Sequence, residues 1–460
     1  MLLFLVVFLS AGITTFALAF GDEKAVTVAN ERTEFDKLYS AYDTLKGSYF
    51  AKIDEEKLID GAINGMIDSL DDPYSDYMDK KEAKSFDDSI SSSFNGIGAE
   101  IQEQDGYIMV VSPIKDSPAE KAGLKPNDKI MRVDGKSIQG MSANEAVLLI
   151  RGEKGSTVKL TIQRPGIEEI TDVSIVRDTI PLETVYGEML EDGIAKVQIT
   201  SFSSNTTKEL IVKLDELKNQ GMKGLVLDLR QNPGGLLEEA ISISSLFLPN
   251  NEVILQIEDR NGKRKAVTST STNDNPNVPL VVVIDKGSAS ASEILAAAVN
   301  ESADVTLVGE KSFGKGTVQQ ARKFTDGSNL KLTTEKWLTP DGNWIHKKGI
   351  TPDVEVALPP YAFLSMIDSE TELKLATTST QVKTAQQMLN ALGYQTDRED
   401  GYFDEKTEQA VKEFQTKENL EVNGIVSGTT TITLMQRLGD LITQNDTQIQ
   451  KAVEVLKEKM

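Results

Sequence analysis

The run Val281-Val282-Val283-Ile284 holds no polar side chain, and four apolar residues in a row suit a strand buried inside a sheet. A stretch of mostly small residues follows, Asp285-Lys286-Gly287-Ser288-Ala289-Ser290-Ala291-Ser292-Glu293, and then Ile294-Leu295-Ala296-Ala297-Ala298-Val299, which reads as a helix. A second apolar strand, Val305 to Val308, leads into Gly309-Glu310-Lys311-Ser312-Phe313-Gly314-Lys315-Gly316-Thr317. A small-residue turn between a buried strand and a helix N-terminus exposes a serine hydroxyl among backbone N–H groups that have no partner within the helix. One strand–helix–strand step later, the glycine-flanked Lys315 can return to the same place.

At 460 residues the chain is too long for one core, and about three domains are expected. Lys and Arg total 49 against 71 Asp and Glu, a formal net charge of −22. That balance argues against a nucleic-acid partner, which needs a basic surface, and against broad attraction to anionic lipid. The absence of cysteine rules out disulfides, a thiol nucleophile and thiolate metal sites. The one histidine, His346, lies in the polar, hairpin-like stretch Thr339 to Lys348, so no two- or three-histidine metal centre can form. Any serine–histidine–aspartate triad would have to use that residue. Residues 1–20 are almost wholly apolar or small and end in Ala17-Leu18-Ala19, the pattern of a signal peptide, and they are also long enough for an uncleaved anchor. No Lys or Arg precedes the run. The expectation is an extracytoplasmic chain, secreted or anchored at a bacterial cell envelope.

Taken in order, residues 30–90 read as a helical segment, with Leu58, Ile59, Ala62, Ile63, Met66, Ile67 and Leu70 on one face. Asp71-Asp72-Pro73 stops that helix, and Tyr74, Tyr77 and Met78 read as its packing cap. From 91 to 178 the pattern turns to short strands and tight turns. The loop Gly96-Ile97-Gly98 enters a strand, Ser117-Pro118-Ala119-Glu120-Lys121-Ala122-Gly123-Leu124 is a short helix, Asp134-Gly135 is a turn and Ala143 to Ile150 a second helix. This ordered set resembles a PDZ domain along its whole length. Free N–H groups of Gly96, Ile97 and Gly98 would receive a terminal carboxylate while the adjacent strand edge pairs with the peptide backbone.

From 179 to 360 strands and helices alternate, which argues an α/β sheet. There Gly224-Leu225-Val226-Leu227-Asp228-Leu229 runs into Arg230-Gln231-Asn232-Pro233-Gly234-Gly235, a strand–turn–helix shape suited to an anion or oxyanion. It lacks the Gly-Lys-Ser/Thr ending of a nucleotide loop and the spacing of a dinucleotide fingerprint, so no nucleotide cofactor is expected. After a polar connector, within 378–440, Asp400-Gly401-Tyr402-Phe403-Asp404-x-x-Thr407 partly recurs as Asn423-Gly424-Ile425-Val426-Ser427-x-x-Thr430. This segment resembles a small three-helix peptidoglycan-binding domain. A final helix within 441–460 is expected to expose Val453 and Leu456 to a partner.

Amide hydrolysis by serine needs a nucleophile, a base and donors for the oxyanion. Here the base must be a lysine, a carboxylate or His346. Lysine works only when neutral, so its ordinary pKa of about 10.4 must fall by about 3, at a cost of roughly 4 kcal/mol. Lys286 and Lys311 adjoin Asp285 and Glu310, which favour the charged form; Lys315 has few carboxylates beside it and is the better candidate. Ser288, Ser290 and Ser292 compete for nucleophile, and residue chemistry alone ranks them weakly.

Residues 30–360 resemble the carboxyl-terminal processing, or tail-specific, serine proteases. The resemblance rests on the PDZ segment, Asp228 to Gly235, Gly287 to Glu293 and Gly309 to Thr317. Together with the C-terminal domain it is similar to sporulation-associated bacterial members. The resemblance implies a multidomain α/β protein: helical N-terminal segment, PDZ domain, α/β serine-protease core and small three-helix C-terminal domain. It implies Ser290 as nucleophile, Lys315 as base and Gln319 orienting the lysine amine, with no metal or ATP. Ala291 N–H and a glycine N–H, Gly234 or Gly235, would hold the oxyanion. Ser288 and Ser292 would be local hydrogen-bonding and packing residues. Arg151, in Leu149-Ile150-Arg151-Gly152, would link a peptide-loaded PDZ domain to the active site. The substrate would be a protein or peptide with a free C-terminus, cut in regulated signalling proteolysis, by a homodimer assembled through N- and C-terminal helical parts. Peptidoglycan or an envelope regulatory protein is a further partner. Two rival classes are a non-catalytic PDZ and peptidoglycan-binding scaffold, and a serine hydrolase of ester bonds, which would not need a strand-edge peptide reader.

Overall fold

The computed structural model describes residues 33–460 apart from 92, 105, 115–116, 166–169 and 272–277. The apolar run read as a signal peptide or anchor therefore lies outside the described residues. The chain forms two units, one up to Asp79 and one from Lys80 onward.

The first unit contains α1 (Asp36–Ser48), α2 (Glu55–Asp68) and the short strand β1 (Asp76–Met78). Asp54 caps α2 by accepting from Lys57 N, and two acidic residues, Glu55 and Glu56, fill its first turn. The Tyr77 hydroxyl donates to Asp60 Oδ1 at 2.7 Å, the packing cap expected from sequence. Neither α1 nor α2 contains a buried residue. Leu38 and Leu45 on α1 and Ile59, Met66 and Leu70 on and just beyond α2 are exposed, while Leu58, Ala62, Ile63 and Ile67 of the α2 stripe are half-buried.

The second unit opens with α3 (Lys80–Ile90) and a β domain. Its elements are β2 (Ser93–Gly96), β3 (Ala99–Gln104), β4 (Tyr107–Pro113), α4 (Pro118–Lys121), β5 (Lys129–Val133), β6 (Lys136–Ser137), α5 (Ala143–Ile150), β7 (Thr157–Gln163), β8 (Ile170–Val176) and β9 (Asp178–Pro181). The sheet runs β3-β4-β5-β7-β8, so β3 lies at an edge, and β6 pairs with β5. Strands β2 and β9, where the chain enters and leaves, pair antiparallel. Asp134 and Gly135 both take positive φ, as the Asp-Gly turn signal predicts. Arg177, buried, closes the end of α5 by donating to Ile150 O at 2.7 Å and Leu149 O at 3.3 Å. A side chain at Gly152 would come within 2.8 Å of that guanidinium.

The α/β core follows with β10 (Val185–Met189), β11 (Ile194–Ile199), α6 (Thr206–Asn219), β12 (Gly224–Asp228), α7 (Leu237–Phe247), β13 (Val253–Glu258), β14 (Arg264–Thr268), β15 (Leu280–Ile284), α8 (Ala291–Ala303), β16 (Thr306–Gly309), β17 (Thr317–Lys323), β18 (Asn329–Leu338) and β19 (Val354–Glu355). The main sheet has the order β10-β11-β12-β15-β16-β19, parallel except for β10. Side chains alternate between its faces. Leu225, Leu227, Val282, Ile284 and Leu307 pack in one core with residues of α6, α7 and α8. Val226, Val281, Val283 and Val308 point the other way. Strands β13, β14, β17 and β18 form a second sheet.

The last domain has α9 (Thr380–Ala391), α10 (Glu405–Lys417) and α11 (Gly428–Gln444), followed by α12 (Thr447–Lys457). The sequence recurrence has a structural counterpart. Gln386 accepts from Gly401 N and donates to Thr407 Oγ1, and Gln415 accepts from Gly424 N and donates to Thr430 Oγ1. The core of this domain begins earlier than the connector suggested, with Ile367 and Leu373 buried in it.

Helix α12 overturns one expectation. It does not present Val453 and Leu456 to a partner: Leu456 is fully buried and Val453 half-buried in a cluster with Ile449, Ala452 and the second face of the main sheet. The physical reason is the run Val281 to Ile284. A parallel sheet apolar on both faces needs a layer on each, and this helix supplies the second.

Candidate active site

Three loops converge where the parallel strands β12, β15 and β16 end, the usual place for a site in such a sheet. The loop after β15 delivers Ser290 as the residue before α8. Its φ of 54° and ψ of −111° are strained for a side-chain-bearing residue, and the half-buried hydroxyl sits at the helix N-terminus. Its neighbours are committed elsewhere. Ser288 is fully buried and donates to Leu229 O at 2.8 Å, and Ser292 is fully buried and donates to Asn232 O at 2.9 Å.

Glu293, wholly buried, joins the loops. Its Oε2 accepts from Ser290 N and Lys315 N, both at 2.8 Å, while Oε1 accepts from Ser312 Oγ at 2.6 Å and Gly314 N at 2.7 Å. One carboxylate thus fixes the main chain of Ser290 and of Lys315 together. From the opposite side, Trp337 Nε1 donates to Lys315 O and Trp344 Nε1 to Gly316 O, each at 2.8 Å. Gly316 must lack a side chain, because a Cβ there would lie 2.8 Å from His346 N and 2.9 Å from Trp344 Nε1. His346 thus packs by its backbone beside the lysine loop, and its ring stacks on Trp344 at 5.1 Å.

The turn after β12 lies directly against the serine loop. A Cβ on Gly234 would come within 2.9 Å of Ala291 N and Ser290 Cβ, so only glycine allows this approach. Gly234 N–H is already used, donating to Asn232 Oδ1 at 2.9 Å. Among the described residues, Gly235 N–H and Ala291 N–H have no acceptor. Gln319 lies on β17 at a bulge against β18, and its amide donates to the hydroxyls of Thr317 at 3.0 Å and Thr333 at 3.1 Å. Its Oε1 has no donor among the described residues.

In the β domain, Ile97 O and Gly98 O accept from Ala119 N and Ile114 N, while the N–H groups of Ile97 and Gly98 have no acceptor among the described residues. Arg151, just past α5, sets its guanidinium 4.4 Å over the Phe94 ring of β2.

Four family profiles match in chain order: the N-terminal domain of the activating protease CtpB over 17–82, a PDZ domain over 95–175, peptidase family S41 over 193–356 and a peptidoglycan binding domain over 378–434. The chain is 53% identical to the carboxy-terminal processing protease CtpA of Bacillus subtilis over 428 residues, 93% of this chain and 91% of that one. It belongs to the carboxy-terminal processing proteases. CtpB of the same organism is 46% identical over 92% of this chain and 88% of its own. A solved photosystem II D1 C-terminal processing protease is 29% identical, covering 70% of this chain and 88% of its own, with a TM-score of 0.42. The chain is therefore a serine-type, tail-specific protease that recognises substrates through its PDZ domain, and its likeness to CtpA and CtpB together with the match to a peptidoglycan binding domain supports a cell-envelope location.

In this chain the fold brings Ser290, Ala291, Gly234, Gly235 and Lys315 into one small region. Sequence reasoning gave Glu293 no role although a signal was there. Ser-x-x-Glu at a helix start is the capping-box pattern, which predicts that the glutamate turns back onto the serine N–H. The indole donors carried no such signal, since Trp337 and Trp344 lie 22 and 28 residues beyond the carbonyls they bind.

Proposed function

We propose that Ser290 is the nucleophile, Lys315 the general base and Gln319 the residue that orients the lysine amine through Oε1. The observation that carries this is the Glu293 carboxylate, which anchors the Ser290 and Lys315 main chains at 2.8 Å each. Ser288 and Ser292 are buried structural hydroxyls, which favours Ser290 over both. The oxyanion donors are the N–H groups of Ala291 and Gly235, because Gly234 N–H is spent on Asn232. Neutral Lys315 takes the Ser290 proton as Oγ attacks the scissile carbonyl and gives it to the leaving amine; water then resolves the acyl-enzyme.

The test is cleavage of an unstructured peptide with an apolar C-terminus, as free acid and as amide, from pH 6 to 10. Loss of cutting in Ser290→Ala and Lys315→Ala, survival in His346→Ala and weakening by amidation are expected. Cutting that survives Lys315→Ala overturns the base.

The PDZ domain gates this site, with Arg151 as the link. Its stacking on Phe94 supports this, because β2 and β9 form the ribbon joining the β domain to the core. An Arg151→Ala enzyme with unchanged activity and unchanged dependence on the terminal carboxylate rejects the gate. The enzyme works as a homodimer through α1 and α2, on which Leu38, Leu45, Ile59 and Met66 are exposed. Ile59→Glu should shift the light-scattering mass from two chains to one. Secretion or membrane anchoring by residues 1–20 and a role in sporulation-type signalling proteolysis are supported by the sequence pattern and domain order alone.

A further inference from the structure

Asp446 lies at the start of α12, far in sequence from every residue assigned above. Its Oδ1 accepts from Ile449 N at 3.0 Å, capping the helix. Both its oxygens also face Arg230, with Nη1 to Oδ1 at 2.9 Å and Nη2 to Oδ2 at 2.7 Å. The same guanidinium reaches Asp228 through Nε at 2.9 Å and Nη2 at 2.7 Å, and Gln448 Oε1 through Nη1 at 3.0 Å. The side chains of Arg230, Asp228 and Asp446 are 12%, 2% and 20% exposed, so this is a largely buried, forked ion network rather than a surface pair. Burial alone would lower the Arg230 pKa, but Asp228 and Asp446 raise it above the ordinary arginine value.

The network ends at the oxyanion turn. Gln231, next to Arg230, donates its backbone N–H to Asp285 Oδ1 at 2.9 Å and its side-chain amide to Asp285 Oδ2. Asp285 Oδ1 in turn accepts from Gly287 N, three residues before Ser290. Asn232 O receives Ala289 N at 3.0 Å and Ser292 Oγ at 2.9 Å, and Gly235 follows three residues on. Period-2 alternation explains the meeting. Asp228 shares the face of Val226, the face that α12 covers.

We propose that Asp446 is a positioning residue for peptide hydrolysis: through Arg230 the C-terminal helix holds the turn that presents Gly235 N–H to the oxyanion. The inference rests on the assignment of Ser290 and Gly235 above. It makes docking of α12, which follows the peptidoglycan-binding domain, a condition for full activity of the core.

Asp446→Asn in the full chain tests it, because asparagine keeps the helix cap while removing the charge. The readouts are kcat and KM for the free-acid peptide, Ki for a peptide boronate that forms a tetrahedral adduct, and Tm. Removing an oxyanion donor outright costs about 10²–10³ in kcat, so a displaced one should lower kcat about 10- to 100-fold, with KM nearly unchanged and boronate Ki raised by the same factor. Gln448→Leu should move the same two quantities in the same direction by less. Lys457→Gln, which removes the exposed pair of α12 with Asp192, should leave both unchanged. Unchanged kcat in Asp446→Asn, or a fall that tracks only the unfolded fraction, overturns the proposal. Ser290→Ala run alongside separates the levels, since activity surviving there rejects the assignment on which the proposal rests.

Discussion

Glu293→Gln is the most informative substitution, since it keeps shape and removes charge at the point where the loops are joined. The carboxylate takes four donors, two on each oxygen. If the new amide nitrogen replaced Oε2, the N–H groups of Ser290 and Lys315 would both face a donor, at about 1–3 kcal/mol for each buried unsatisfied group. If it replaced Oε1, Ser312 Oγ, which already accepts from Ile350 N at 2.7 Å, could take a second donor by turning its own proton away, and Gly314 N–H would be the one main-chain donor stranded. The second orientation wins by one stranded donor. Its two surviving bonds weaken by about 1 kcal/mol each on losing the charge, giving about 3–5 kcal/mol in all. Relief from burying an ion offsets part of this, so about 2–4 kcal/mol of lost stability is expected in a urea titration. Activity should fall about tenfold in Glu293→Gln, and about 100-fold or more in Glu293→Ala, where both anchored main chains are released. Wild-type kcat and urea midpoint in both variants would refute the reasoning that this carboxylate fixes the site.

Leu456→Ala should cost about 2–5 kcal/mol by urea titration, because the side chain is fully buried against the sheet and packs on Gly224. Trp337→Phe removes the donor to Lys315 O at 2.8 Å and should cost about 1–3 kcal/mol together with a fall in kcat. Because the two tryptophans of the chain both bind the lysine loop, a serine-directed phosphonate should change intrinsic fluorescence, and no change would separate that loop from the site. In the C-terminal domain, hydrogen bonds from Arg398, then from Tyr402 N–H, lower the Asp400 pKa from its ordinary 3.8 to about 2. A lowered carboxylate pKa stabilises fully above the unfolded value and is lost as pH falls from 3.8 toward about 2. Arg398→Gln should therefore flatten the fall in Tm across that acid window and leave its slope near neutrality unchanged.

Local signals were enough for most elements. Ser142 and Glu145 form the capping box that starts α5 at Ala143, and the Asp-Gly turn, the β15 run and the paired Gly401 and Gly424 turns all formed where their residues indicated. These features depend on neighbours a few residues apart, so the chain itself carries them. The lysine proposed as base and the serine cluster were legible as chemistry, and family resemblance singled out Ser290.

What separates Ser290 from Ser288 and Ser292 physically is tertiary: the latter two donate to carbonyls 59 and 60 residues away in the chain. The choice of Gly235 over Gly234 likewise rests on where the Asn232 side chain folds. The apolar face of α12 could equally have met a partner or its own sheet, because hydrophobic attraction has no direction and specifies no recipient. Only the folded sheet, with Val226, Val281, Val283 and Val308 left on one face, decided where that helix goes, and with it that Asp446 reaches Arg230.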